Sequence, residues 1–147
     1  MKVVINRCFG GYGLSVKAIL EIGKRKGFVF YPYIKDWEKG RDVYVKCDED
    51  CREFHFVKYT TVDNGPQVMF DDMKGRYDFG YPCRFNNYYG DWSRTDPDVV
   101  AVVEELGERA DGSFSSLAVV DIPDGVRFTI DEYDGMETVE EVHRSWA

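Results

Sequence analysis

No apolar run in the sequence approaches the ~20 residues that a membrane-spanning helix needs, so a transmembrane helix is excluded. Histidine is scarce: there are 2, His55 and His143, and neither belongs to an H-E-x-x-H or Ser-His-Asp pattern. G-x-G-x-x-G and G-x4-G-K-[ST] are both missing, which removes the Rossmann and Walker readings of the glycine turn at 10–13. The opening Met1-Lys2-Val3-Val4-Ile5-Asn6 has no long apolar h-region and no small-residue cleavage site, so a cytoplasmic protein is expected. Cations run short in the last third. Residues 95–147 carry 3 Arg against 14 Asp and Glu, a net of −11, whereas residues 1–94 carry 16 Lys and Arg against 13 acids, a net of +3. Backbone neutralisation dominates nucleic-acid affinity, so a long nucleic-acid partner is not expected. An acidic third attracts basic protein surfaces; a merely solvated acidic face is the plainer reading of the same charge.

What is present is an ordinary globular composition of 147 residues, 44% hydrophobic and 31% charged, enough for one core and one domain spanning 1–147. Without a secretory signal, Cys8, Cys47, Cys51 and Cys83 are expected to be reduced thiols. Cys47 and Cys51 have C-x3-C spacing, with His55 and Cys83 beyond, but the usual C-x2-C knuckle and a second close pair are lacking. No metal and no cofactor are expected.

Residues 1–35 read as a β-α-β unit. Val3-Val4-Ile5 is a short β-branched run, and Phe28 to Tyr31 reads as a second strand parallel to it. Between them Ser15 is a helix N-cap, Leu14 is placed to staple onto Ile19, and Val16, Ile19, Leu20 and Gly23 share a helical face. Lys24-Arg25-Lys26 and Gly27 close that helix. In 36–93, Asp42–Lys46 and Cys51–Thr61 read as hairpin arms around Asp48-Glu49-Asp50. The stretch 77–92 holds seven aromatics and reads as an irregular loop packed by its own side chains. Asp96-Pro97-Asp98 caps a second helix that runs to Asp111-Gly112. Leu117–Ile122 and Val126–Tyr133 read as an antiparallel pair around Pro123-Asp124-Gly125, and Met136–Trp146 as a closing helix with Val139, Val142, His143 and Trp146 on one face. The pattern predicts an α+β (mixed α/β) fold. It is a single domain: a mixed sheet with an N-terminal β-α-β unit, a central hairpin and aromatic-loop insertion at 36–93, and helices packed on the sheet.

Val-Ile-Asn-Arg-Cys-Phe-Gly-Gly-Tyr-Gly-Leu-Ser at 4–15 and Val-Val-Asp-Ile-Pro-Asp-Gly-Val at 119–126 carry a resemblance. So do Ile-Asp-Glu-Tyr-Asp-Gly-Met-Glu at 130–137, Glu-Val-His-Arg-Ser-Trp at 141–146, Arg94-Thr-Asp-Pro and Glu104-Glu-Leu-Gly. Together they resemble the two ends of a family of small uncharacterised tailed-phage and prophage accessory proteins, over roughly the first 30 and last 55 residues. The resemblance implies a phage-type accessory role in a host cell and no particular reaction.

Three functions follow as expectations. The first is binding without turnover, as an inhibitor of a host defence protein. Its partner-binding candidates are Glu104, Glu105 and Glu108 on the acidic helix, with Arg84, Tyr88, Tyr89 and Trp92 from the aromatic loop. The second is capture of a small phosphate-containing ligand such as a nucleotide at Gly10, Gly11, Gly13 and Ser15, helped by Arg7 and Arg94. There a helix N-terminus aims amides at one point, although a tight turn that simply needs glycine accounts for the same residues. The third is a small hydrolase using His143 as general base, for which no nucleophile is evident; a hydrogen-bonded packing histidine is the commoner reading of that residue. Asp131-Glu132-Tyr133-Asp134 reads either as a divalent-cation ligand set or as a polar turn.

Overall fold

The computed structural model describes residues 1–51, 57–77, 92–142 and the backbone of 88–89. Two of the three expected helices are present, and local sequence explains both. In α1 (Val16–Arg25) the Ser15 side chain accepts from the Ala18 amide at 3.0 Å, and Val16, Ala18, Ile19, Ile22 and Gly23 are buried. In α2 (Pro97–Leu106) the Asp96 carboxylate accepts from the Asp98 and Val99 amides, and Pro97 sits where its missing N–H costs nothing. A 3-10 turn over Gly107–Ala110 carries the chain on to Asp111.

Strand pairing departs from the expectation. β1 (Lys2–Asn6) pairs antiparallel with β9 (Leu117–Asp121), Val4 opposite Val119, and not with the strand that follows α1. That strand, β2 (Tyr31–Lys35), begins later than expected and joins a separate sheet. Before it Phe30 is buried with Phe28 stacked on it while Val29 is exposed, and the Phe30 ring lies so close over Gly23 that a Cβ there would meet it at 2.4 Å. No β-α-β crossover forms, and every pairing among the described residues is antiparallel. The result is an α+β single-domain fold with antiparallel sheets.

The central sheet runs β5-β3-β2-β4-β6, using β3 (Val43–Lys46), β4 (Lys58–Thr60), β5 (Gln67–Met69) and β6 (Arg76–Tyr77). β3 and β4 are therefore not arms of one hairpin; β2 lies between them. Within the aromatic stretch, β7 (Tyr88–Tyr89) and β8 (Trp92–Ser93) form a short ladder. The last two strands, β10 (Phe128–Tyr133) and β11 (Met136–Glu141), pair with each other. Two expectations fall with that ladder: β9 is not the partner of β10, and residues 136–141 are strand rather than helix. The reason is the Asp134-Gly135 turn. Both residues have positive φ, 50° and 90°, as a two-residue hairpin turn between right-twisted strands requires.

The main core joins α1, α2, β1 and the 28–30 segment through Val4, Leu14, Val16, Ile19, Ile22, Phe30, Tyr59, Trp92, Val99, Val102 and Val103. A second, smaller core forms around Tyr33, Tyr44 and Met73. One contact locks the helices end to start. Lys26, at the C-terminus of α1, binds Asp96 at 2.6 Å and Asp98 at 3.1 Å. Burial opposes the charge on Lys26, but hydrogen bonds to Asp96 and Asp98 hold its pKa above the ordinary range. Burial likewise opposes the Asp96 charge, yet Lys26 and the two capped amides hold that carboxyl below its usual pKa. Stability linked to Asp96 is thus complete above about pH 4 and disappears as pH falls through the lowered folded value. Asp96→Ala is expected to cost about 1–2 kcal/mol at neutral pH. In urea melts, the gap to wild type should close below about pH 4. A gap constant down to acid unfolding would remove this linkage.

Candidate functional site

The glycine turn is a joint between backbone segments. A Cβ on Gly10 would lie 1.9 Å from the Phe114 carbonyl oxygen, and one on Gly135 would lie 2.7 Å from the Gly10 carbonyl carbon. The Gly13 carbonyl accepts from the Gly112 amide and from Ser115 Oγ at 2.7 Å, while Leu14 bridges Asp111. Asn6 ties the joint together. Its side-chain amide donates to the Cys8 and Gly135 carbonyls, and its Oδ1 accepts from the Ser116 amide. Ser15 Oγ, besides capping α1, donates to the Arg109 carbonyl at 2.6 Å. The hydroxyl expected to greet an anion is therefore engaged twice by the protein.

The two arginines expected to flank this turn are not brought together. Arg7 is exposed at the end of β1, whereas Arg94 is 5% exposed and forms a two-pronged ion pair with Glu137, at 2.7 and 2.9 Å. Its guanidinium lies 3.4 Å from the centre of the Tyr12 ring. The pair closes the outer side of β1. Arg94 donates through NH1 to the Val4 carbonyl, its own carbonyl accepts the Val4 amide, and Glu137 Oε1 accepts the Asn6 amide at 2.8 Å. Arg94 is thus a structural residue, committed to a carboxylate and a strand edge. Glu137 was invisible as its partner, because a carboxylate in an alternating strand reads as a solvent-facing residue.

Beside the start of α1 lies a cleft of about 480 Å³ lined by Ser15, Lys17, Glu49, Asp50, Glu108 and Asp111, among others. Lys17 is paired with Glu49 at 3.1 Å. Burial, and then the nearby Glu108, pushes the Asp111 carboxyl upward. Four carboxylates against Lys17 and Arg109 in this lining disfavour a phosphate. Cys47 and Cys51 face each other across the Asp48–Asp50 turn, and burial followed by that contact raises the Cys47 thiol well above its ordinary range. Among the described residues no group of histidine, cysteine or carboxylate side chains is arranged to hold a metal. His55, Cys83, Arg84 and His143 lie outside the described residues.

The partner candidates separate. Trp92 is 3% exposed and packs against Phe30 in the core, so it is not a surface residue; burying the largest aromatic is worth more to the fold than displaying it. Tyr88 and Tyr89 are described by backbone alone. Glu104 is occupied by Lys2 at 3.0 Å, while Glu105 and Glu108 are exposed. The stronger acidic feature is the β10–β11 hairpin. Strand alternation turns Phe128, Ile130, Glu137 and Val139 to one side, and Thr129, Asp131, Tyr133, Thr138 and Glu140 to the other. All five residues of the second set are exposed, Tyr133 by 78%. Asp131, Glu132, Asp134, Glu140 and Glu141 form no ion pair among the described residues. The Asp131–Asp134 run is thereby divided between two faces and a turn, and it does not converge on a cation.

Among the described residues no helix is long and apolar enough to cross a membrane. No protein-family model matches the chain, and no curated protein or solved structure is significantly similar to it.

Proposed function

We propose that this protein works by binding without turnover, and that its partner is a host protein presenting a basic surface. The observation that carries the reading is the outward face of the β10–β11 hairpin. It sets an exposed tyrosine among carboxylates that form no ion pair among the described residues. Unneutralised charge on a rigid ladder speeds encounter with an oppositely charged protein, and a tyrosine supplies contact area at small entropic cost. The likeness of the chain's ends to phage accessory proteins supports a bacterial partner, with inhibition of a defence protein as the expected effect. Capture of a phosphate ligand has less support, because the glycine turn and Ser15 are already consumed by packing and capping.

The test compares wild type with the triple variant Asp131→Asn, Glu140→Gln, Tyr133→Ala, each immobilised and exposed to bacterial lysate. A basic protein retained by wild type is then purified and titrated against both. The triple variant is expected to bind it at least about tenfold more weakly, with the intact mass of both proteins unchanged after incubation. A partner held equally by both forms, or the absence of any partner that the variant releases, would overturn the reading.

A further inference from the structure

The two sides of the β1–β9 ladder are finished differently. The Arg7 amide donates to the Ser116 carbonyl and the Ile122 amide to the Met1 carbonyl, both at 2.8 Å. With that register, Ala118 and Val120 direct their N–H and C=O groups toward β1, and Leu117, Val119 and Asp121 direct theirs away. On the β1 side the outer lane is closed by Arg94 and Glu137. On the β9 side only the Leu117 amide is taken, by Asp111 Oδ1 at 2.9 Å. The Val119 N–H and C=O and the Asp121 N–H meet no partner among the described residues. Leu117 to Val120 is moreover an uncharged apolar run, without the lysine, proline or bulge that blunts a strand edge. The other edge strands differ: β5 and β6 are three and two residues long, and β10 and β11 carry charges.

The surroundings select the occupant. Asp111 stands in the lane at the Leu117 end, and at the other stands Asp121, exposed and 3.5 Å from the Met1 ammonium that Asp124 holds at 2.6 Å. A second copy pairing about Val119 would bring Asp121 of each copy toward Asp111 of the other. Carboxylate would face carboxylate. A segment with an apolar residue opposite Val119 and a cation two positions to either side meets a carboxylate at each end and leaves the Leu117 amide with Asp111.

We infer that β9 is a strand-addition site that takes an extended basic segment of another protein, of pattern cation-x-apolar-x-cation, antiparallel to Leu117–Asp121. The apolar residue exchanges both main-chain bonds with Val119, and the flanking cations face Asp111 and Asp121. This site is separate from the hairpin face and does not depend on it.

The probe is acetyl-Lys-Thr-Val-Thr-Lys-amide, titrated into the isotopically labelled full chain and followed by amide chemical shifts. The expected result is saturable movement of the Val119 and Asp121 amides, with slowed hydrogen exchange at both. The same peptide N-methylated on valine, which lacks the donor for the Val119 carbonyl, should bind at least about tenfold more weakly. Replacing both lysines with glutamate should weaken binding similarly. The Asp131→Asn, Glu140→Gln, Tyr133→Ala protein should bind the lysine peptide as wild type does, so failure of the hairpin reading and failure of this one remain distinguishable. Unmoved Val119 and Asp121 amides, or equal binding of the N-methylated peptide, would overturn the inference. So would concentration-dependent shifts at Val119 without peptide, which would assign the edge to a second copy.

Discussion

Glu137→Ala is expected to lower unfolding stability by about 3–5 kcal/mol in urea denaturation. The substitution strands the Arg94 guanidinium at 5% exposure with its counter-charge gone, and it also removes the acceptor of the Asn6 amide. Two effects combine: an uncompensated buried cation and an orphaned main-chain donor on β1. Replacing both partners, Arg94→Met with Glu137→Leu, should be less damaging than Glu137→Ala alone, because no charge is then left buried. It should still fall below wild type by about 1–3 kcal/mol, since Asn6 and Val4 lose their edge partners. A loss under about 1 kcal/mol for Glu137→Ala would place the pair among ordinary surface bridges and contradict the structural role of Arg94 and Glu137 at the β1 edge.

Gly10→Ala should cost about 3 kcal/mol or more, while Gly13→Ala should fall within about 0.5 kcal/mol of wild type. The contrast lies in what a methyl would meet. At Gly10 it lands 1.9 Å from the Phe114 carbonyl oxygen, a backbone atom that no rotamer change can move; at Gly13 nothing lies within 4 Å. Relief at Gly10 would require the 112–115 segment to retreat from Cys8, whose thiol donates to the same Phe114 carbonyl at 3.2 Å. Thermal melts of the two variants decide between a packing joint and a turn whose glycines serve a ligand. Comparable small losses at both positions would favour the ligand reading.

Local signals carried into the structure, and distant ones did not. Ser15 and Asp96-Pro97 are read correctly because a cap is decided within four residues, and Val16, Ile19, Ile22 and Val99, Val102, Val103 follow from helical spacing. The partner of β1 was not legible, since nothing in Val3-Val4-Ile5 names a strand more than a hundred residues away. The expected tail helix fails over 136–141 for a different reason. Val139 and Val142 fit a helical face, but the Asp134-Gly135 turn signal before them is the stronger constraint, because it fixes Tyr133 opposite Met136. That dipeptide is the signal from which the hairpin, its outward face and the inward position of Glu137 could be read. At the site, the acidity was plain from composition. Its division into Glu104 paired with Lys2, Glu137 buried against Arg94, and Asp131 and Glu140 without an ion pair among the described residues was not. The burial of Trp92 was hidden because an aromatic-rich stretch gives no sign of which ring turns inward.

The outward hairpin face is proposed to meet a basic protein partner by charge and contact area, and a rate tests that most directly. Association with the captured partner is measured by stopped flow across ionic strengths for wild type and for Asp131→Lys with Glu140→Lys. The predicted wild-type rate falls as salt rises, and the variant's rate at low salt is at least about tenfold lower with a flattened or inverted salt dependence. Equal rates and equal salt slopes for the two proteins would contradict it.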